Sequence, residues 1–240
     1  MKNSLYVRYT DSTNALLWKM SKEEDLNEGF VVHTDFQRKG KGTGTNNWEA
    51  ERGKNLLLSM LLYPQNIPLD ELFLLSQLVS VSIKKTLEDY ADGFTVKWPN
   101  DIYWNDKKIA GILIENSIQG NKAKAVVIGI GLNVNQNEFM SDAPNPISLK
   151  QITGTTINRR ILFSKIKKSV LSLYETLDKE YIRSEYLSAL YKKEGYHAFE
   201  TAGGKRFKAK IDGIKPDGKL ELETLKGTKK GYYYKEVSYR

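Results

Sequence analysis

Residues 55 to 63 read NLLLSMLLY, a nearly continuous apolar run of strand length. That is the pattern of a strand covered on both faces, and Pro64 helps to end it. The spacing then changes. Leu72, Leu75, Val79, Ile83, Leu87 and Tyr90 recur every three or four residues, which predicts an amphipathic helix from about Leu69 to Ala91. Leu162, Ile166, Val170, Leu173, Leu177 and Tyr181 repeat the spacing and predict a second long helix, followed by SEYLSALYKKEG; Ser148 is placed to cap a short helix before it. Strands are expected at LYVRYT, GFVVHTDF, FTVKW, KIAGILIENSIQ and KAVVIGIGLNVN, the last three as a meander with PND and QGN as turns. DSTNALLWKMSKE, between the first two strands, reads as a helix capped by Asp11 or Ser12. From Tyr196 onward the texture is short β-prone pieces broken by GG, PDG and KGTKKG, which suits a small barrel.

This pattern places the chain in the α+β class: helices packed on a mixed, mainly antiparallel sheet, then a small β-barrel. The expected division is residues 1–194 and 195–240. Composition agrees with a folded globular chain of 240 residues, 40% hydrophobic and 28% charged. There is no cysteine, which excludes thiolate catalysis, disulfides and thiolate metal sites; His33 and His197 are the two imidazoles and are expected to be structural. No apolar run approaches the roughly 20 residues that span a bilayer, and the N-terminus lacks the apolar core of a secretory signal, so a cytoplasmic protein is expected. Net charge is +8, and eleven Lys/Arg against six Asp/Glu from Gly195 onward put +5 of it in the C-terminal piece. Such a charge attracts nucleic acid, anionic cofactors or an acidic protein without choosing among them.

Three stretches carry candidate chemistry. HTDFQRKGKGTGTNNWE, His33 to Glu49, gathers glycines and cations, a composition that lets backbone N–H groups approach an anion. KWPNDIYWNDKKIAGILIE, Lys97 to Glu115, crowds Trp, Pro, Asn and Asp at a strand end; Asp101 can bind a metal or neutralise a lysine, and Lys108 can meet a phosphate or carboxylate. VIGIGLNVN, Val127 to Asn135, sets Gly129 and Gly131 inside an apolar strand, where a ligand or another backbone can come close, with Asn133 at its end. Each alone is also read as a solvated loop, a tight turn or a bulge. GIKPDGK, Gly213 to Lys219, imitates a phosphate-binding P-loop, but Leu220 stands where Ser/Thr is required and no helix follows, so Pro216-Asp217-Gly218 is read as a hairpin turn.

In this order and at these separations, DSTN, Q-x-x-G-K-G, KWPND with a lysine seven residues beyond its Asp, and GIGLNVN resemble the biotin protein ligases over nearly the whole chain. The resemblance implies ATP-dependent formation of biotinyl-5′-AMP and transfer of biotin to a lysine of a carboxyl carrier domain, with Mg²⁺ arriving on ATP. It implies that the loop from Gly40 to Trp48 folds over biotin and the adenylate, with Lys41 at the place of a loop arginine and Trp48 as an apolar wall. Ser12, Thr13, Asn14 and Gln37 match biotin-binding positions, Lys108 would contact carboxylate and phosphate, and Gly111 and Gly129 would open the sheet floor. Gly42, Thr43, Trp48, Asn100, Asp101 and Asn133 would serve the nucleotide side, and no separate metal cage is expected. Lys41 is a point charge where many relatives carry a guanidinium fork, and Thr43 and Asn46 stand where some carry arginine, which bears on how tightly the adenylate is held. The first strand begins within a few residues of Met1, so the expectation is a ligase without a DNA-binding domain, monomeric or homodimeric, whose basic C-terminal SH3-like piece attracts an acidic carrier or ATP.

Two other readings stay open on sequence. A lipoate ligase shares the scaffold, although the polar set Ser12, Thr13 and Gln37 suits a ureido ring better than a dithiolane. A nucleic-acid-binding module is suggested by GYHAFETAGGKRFKAK, although of the consecutive Tyr232, Tyr233 and Tyr234 at least one must turn inward on a strand.

Overall fold

The computed structural model describes residues 3–44, 46–140 and 145–240; Thr45 of the predicted loop lies outside them. The chain opens with strand β1 (Ser4–Val7) and helix α1 (Thr13–Glu23). Of the two expected caps Ser12 is the one used, its Oγ accepting from Ala15 N at 3.5 Å. Strands β2 (Val31–Thr34) and β3 (Leu56–Leu62) follow, then a 3₁₀ turn at Leu69–Glu71 and helix α2 (Phe73–Leu87). The helix is shorter than its periodicity suggested, because Pro68 forces the extended entry and its residues 88–92 unwind before Gly93, at φ 92°.

Four strands come next, not three: β4 (Phe94–Lys97), β5 (Asp101–Trp104), β6 (Lys107–Gln119) and β7 (Lys122–Leu132). They form the expected meander, in a seven-stranded sheet ordered β1-β2-β3-β7-β6-β5-β4. Only β1 and β2 pair in parallel, through the α1 crossover; every other described pair is antiparallel.

Helix α3 (Leu149–Thr153) starts with a full capping box, Ser148 bonding the Gln151 backbone and Gln151 the Ser148 backbone. Replacing Ser148 with alanine is expected to cost about 1 kcal/mol of unfolding free energy, read as a lower urea midpoint at unchanged slope; an unmoved midpoint would show that the box contributes nothing. The second long helix is in fact two, α4 (Arg159–Thr176) and α5 (Lys179–Ser188). Leu177 breaks it at φ 42°, and Asp178 restarts it by accepting from Tyr181 N. Among the described residues no helix is long and apolar enough to cross a membrane.

Strands β8 (His197–Thr201), β9 (Arg206–Ile214), β10 (Leu220–Thr224), β11 (Lys229–Tyr232) and β12 (Val237–Tyr239) make a five-stranded antiparallel sheet, ordered β11-β10-β9-β8-β12. Pro216-Asp217-Gly218 is the β9–β10 turn, with Gly218 N donating to Lys215 O and Gly218 at φ 87°. The turn docks where β4 ends and α2 begins: Gly218 O accepts from Trp98 Nε1 at 2.8 Å, and a Cβ on Gly218 would come within 2.7 Å of the Phe73 ring. The fold is α+β, as the pattern predicted.

Alternation along the strands decides which face does what. Leu58, Met60, Ile128, Ile130, Ile112 and Ile114 point to the face covered by α2, α4 and α5 and belong to or pack on the main core. The intervening residues face α1, where Leu17, Val32, Leu61 and Val127 form a smaller cluster. That smaller cluster stops short of the β5 end of the sheet, and the uncovered part of this face is where the candidate residues gather.

Candidate active site

On the α1 face, register brings small residues into rows. Ser59, Gly129 and Leu113 are opposite one another across β3, β7 and β6; one step along, Leu57, Gly131, Gly111 and Asp101 do the same out to β5. Two adjacent strands thus present no Cβ at the same level, leaving a flat strip of backbone. The Trp48 indole lies on this strip. A Cβ on Gly131 would come 2.7 Å from Trp48 Nε1, and one on Gly111 3.0 Å from its Cζ3. Trp48 is therefore a lid on the floor and not only the wall expected from sequence, and its Nε1 is buried without a partner.

The indole is delivered by a small hairpin. Lys41 and Asn47 form a bridge, Gly42 N donates to Asn46 O at 2.7 Å, and Trp48 N donates to Gly40 O at 2.9 Å. Gly40 was expected against biotin, but among the described residues it lines neither cavity of the site. It closes the hairpin instead, since a Cβ there would sit 2.6 Å from Trp48 O. The loop's entry is pinned to the start of α1, with Arg38 N donating to Thr10 O, Lys39 N to Asp11 O, and Arg38 Nε lying 2.7 Å from Asp11 Oδ1.

An inner cavity of about 50 Å³ lies between α1 and the strip, lined by Ser12, Thr13, Asn14, Gln37, Lys41, Gly42, Thr43, Trp48, Asp101, Lys108, Gly111 and Gly129 among others. Its closed end is a connected polar chain. Thr13 N and Oγ1 donate to Gln37 Oε1 at 2.7 and 3.0 Å, Ser59 Oγ lies 2.7 Å from Thr13 Oγ1 and 2.5 Å from Asn14 Oδ1, and Asn14 Nδ2 donates to Glu115 Oε2 at 3.0 Å. Trp18 Nε1 also donates to Glu115. Buried groups held this way have fixed donor and acceptor positions, which suits recognition of a polar head group.

At the other end Lys108 Nζ is 2.7 Å from Asp101 Oδ1 and 5.6 Å from the Trp48 ring. Beyond it opens an outer cavity of about 710 Å³, which Asn100, Asp101, Lys108, Asn133, Lys97 and Tyr239 help to line. Asn133, which helps to line this cavity, is 3% exposed, and its Oδ1 is buried without a partner. Asn100 supports the hairpin and strand, its amide donating to Thr43 Oγ1 at 3.1 Å and Ile112 O at 2.5 Å. The corner itself is held from behind: Pro99 O accepts from Ser76 of α2 at 3.2 Å and from Tyr186 of α5 at 2.9 Å. No group of three or more His, Cys, Asp or Glu among the described residues is arranged to hold a metal ion. His33 stacks between Tyr6 and Phe163, with burial lowering its pKa, and His197 bonds Glu194 O; neither touches the site.

The structure therefore gathers every predicted site residue except Gly40. It adds Ser59, Glu115, Gly131 and Gln136. Ser59 is the lone polar residue in the apolar run of β3, and that interruption was its signal. Gln136 is 1% exposed and joins the two loops that flank the outer cavity: its Oε1 accepts from Glu51 N at 2.9 Å and Asn55 Nδ2 at 2.5 Å, while its Nε2 donates to Glu138 O at 2.7 Å and Glu49 Oε1 at 3.3 Å. No sequence pattern marked it.

A family model described as the Biotin/lipoate A/B protein ligase family matches residues 6–133, a span that holds every residue just placed in the site from Ser12 to Asn133. This chain belongs to that family. Among its curated relatives, the bifunctional ligase/repressor BirA of Bacillus subtilis is 33% identical over 216 residues, covering 85% of this chain and 65% of that protein. The chain thus spans just under two thirds of that relative's length. The biotin–[acetyl-CoA-carboxylase] ligase of Paracoccus denitrificans is 30% identical over 62% of this chain and 63% of its own. Among solved structures, the biotin protein ligase from Aquifex aeolicus in complex with biotin and ATP superposes with a TM-score of 0.81 at 26% identity, covering 100% of this chain and 99% of that one.

Proposed function

We propose that this chain is a biotin protein ligase: it condenses biotin and ATP to biotinyl-5′-AMP and pyrophosphate, then passes the biotinyl group to a lysine of a biotin carboxyl carrier domain. The observation that carries this reading is the continuity of the site. A polar chain suited to a ureido ring, a Cβ-free strip suited to an alkyl tail, and a lysine–aspartate pair suited to the reacting carboxylate lie in sequence along one sheet face. The Bacillus, Paracoccus and Aquifex relatives support it by their names.

In this reading the biotin carboxylate attacks the α-phosphorus, an oxygen–phosphorus bond forms, and the bond to the leaving pyrophosphate breaks. Two anions meet, so Lys108 draws the carboxylate and phosphate together and offsets the charge that builds between them, with backbone N–H groups and Lys41 of the hairpin closing over the adenylate. In the second step the carrier's amine attacks the acyl carbon and AMP leaves. The protein supplies no nucleophile; positioning and electrostatics are its contribution. Magnesium would arrive with ATP, and Asp101 and Asn133, among the oxygen-bearing residues of that wall, would hold it and help offset the phosphate charge. An inner cavity of 50 Å³ is far below the roughly 300 Å³ of a small-molecule site, so Trp48 rises from the glycine strip to admit the acyl chain. Residues 1–194 act as the catalytic unit and 195–240 as its β-module, in the cytoplasm, where ATP is made available.

In the basic module Glu200 pairs with Arg206 and Arg240, Asp212 with Lys229, Asp217 with Lys219, Glu221 with Lys215, and Glu223 with Lys210, so its charges are interleaved on its own surface and its net +5 is spread over the sheet. Tyr232 is buried, as alternation required.

Purified protein incubated with MgATP and either biotin or lipoate is expected to release pyrophosphate and yield an acyl-adenylate with biotin only, detected by mass spectrometry. Product with lipoate alone would move the chain to the other branch of the family; product with neither would end the ligase proposal.

A further inference from the structure

The row that carries the strip runs one strand further. Lys97 of β4 is opposite Asp101 of β5, so Leu57, Gly131, Gly111, Asp101 and Lys97 stand at one level on one face. Adjacent strands are about 4.8 Å apart, which puts Lys97 one strand spacing beyond the Lys108–Asp101 pair, on the wall of the outer cavity.

Its environment differs from that of Lys108. Lys108 has Asp101 at 2.7 Å, whereas Lys97 has no carboxylate within 4.0 Å among the described residues. Its ammonium is held by aromatic groups: it donates to Tyr103 Oη at 3.0 Å, and it lies 4.7 Å from the Tyr103 ring centroid and 5.7 Å from that of Tyr239, on β12 of the C-terminal sheet. Rings hold a cation in place without neutralising it. One hydrogen bond uses one of three ammonium donors, and burial lowers the Lys97 pKa against the opposing pull of the Asp101 charge on the neighbouring strand.

We propose that Lys97 contacts the β- and γ-phosphates of the nucleotide, held at that level of the row by the C-terminal sheet through Tyr239. The inference rests on the ligase reading for the order of groups along the row: acyl chain over the glycines, carboxylate and α-phosphate at Lys108 and Asp101, leaving pyrophosphate at Lys97. Charge passes to the pyrophosphate as the bond to the α-phosphorus breaks, and Lys97 is the cation at that end.

The experiment measures, by calorimetry on the full chain, the affinity for MgATP, inorganic pyrophosphate and AMP in the wild type, Lys97→Met and Lys97→Arg. Charged hydrogen bonds of this kind correspond to roughly tenfold or more in affinity. Lys97→Met is expected to lose at least tenfold for MgATP and pyrophosphate with AMP binding unchanged, and Lys97→Arg to stay within a few-fold of wild type. Transfer to the carrier from synthetic biotinyl-AMP is expected to proceed at the wild-type rate in both. Unchanged MgATP affinity in Lys97→Met, or an equal loss for AMP, would overturn the assignment. A wild type that binds MgATP but adenylates neither biotin nor lipoate would instead sink the ligase reading, and the binding comparison would still decide Lys97.

Discussion

Lys108→Ala is expected to slow adenylate formation by about 10²- to 10³-fold, the effect of removing one preorganised charge from a developing oxyanion. The side chain sits where the inner and outer cavities meet, 2.7 Å from Asp101 and over the edge of the Trp48 indole. Its loss removes the cation between two anionic reactants and also leaves Asp101, about three-quarters shielded, as an uncompensated negative charge facing them. Both consequences oppose the same step. Single-turnover pyrophosphate release at saturating biotin and MgATP measures it, and a rate within tenfold of wild type would remove Lys108 from the centre of the mechanism.

Gly129→Ala acts at the opposite end of the site. The added methyl would lie 2.5 Å from Asn14 Oδ1 and 3.1 Å from its Cγ, and Asn14 has nowhere to retreat: it is 5% exposed, bonded through Ser59 and Glu115, and anchored in the first turn of α1. The polar chain must shift by several tenths of an ångström, enough to misplace partners for a ligand's head group. Biotin KM is expected to rise by roughly 30- to 100-fold with kcat changed only a few-fold, as for lost hydrogen bonds in a recognition pocket. Gly203→Ala is the control, because a methyl there meets no atom closer than 3.9 Å and should leave both constants alone. Equal losses in KM and kcat for Gly129→Ala would place Gly129 under the reacting atoms and not under the head group.

Much of this was legible in the chain because local chemistry and tertiary role coincide. Ser12 has the hydroxyl a cap needs and is the cap; Pro216-Asp217-Gly218 is a turn by composition and by hydrogen bond. What was not legible depended on partners far away in sequence. Strand β5 is four residues between WPN and ND, turn residues on both sides, and only pairing with β4 and β6 makes it a strand. The break at Leu177 carries no glycine or proline; the restart at Asp178 imposes it. In the site, Gly129 and Gly131 announced a close approach without saying what approaches, and the answers, Asn14 and Trp48, lie more than 80 residues upstream. The part Gly40 plays in the hairpin was hidden for the same reason, its neighbour Trp48 O being visible only once the hairpin is closed.

The carbonyl of Pro99 is gripped by one hydroxyl from α2 and one from α5, although neither helix reaches the cavities' reacting end. The helical layer is thereby a machinist's jig for the corner that bears Asn100 and Asp101. An engineer selecting sturdier variants by heat resistance would see nothing wrong with a tighter repacking of those helices that drops either hydroxyl, and would be handed a tougher protein with a blunter tool.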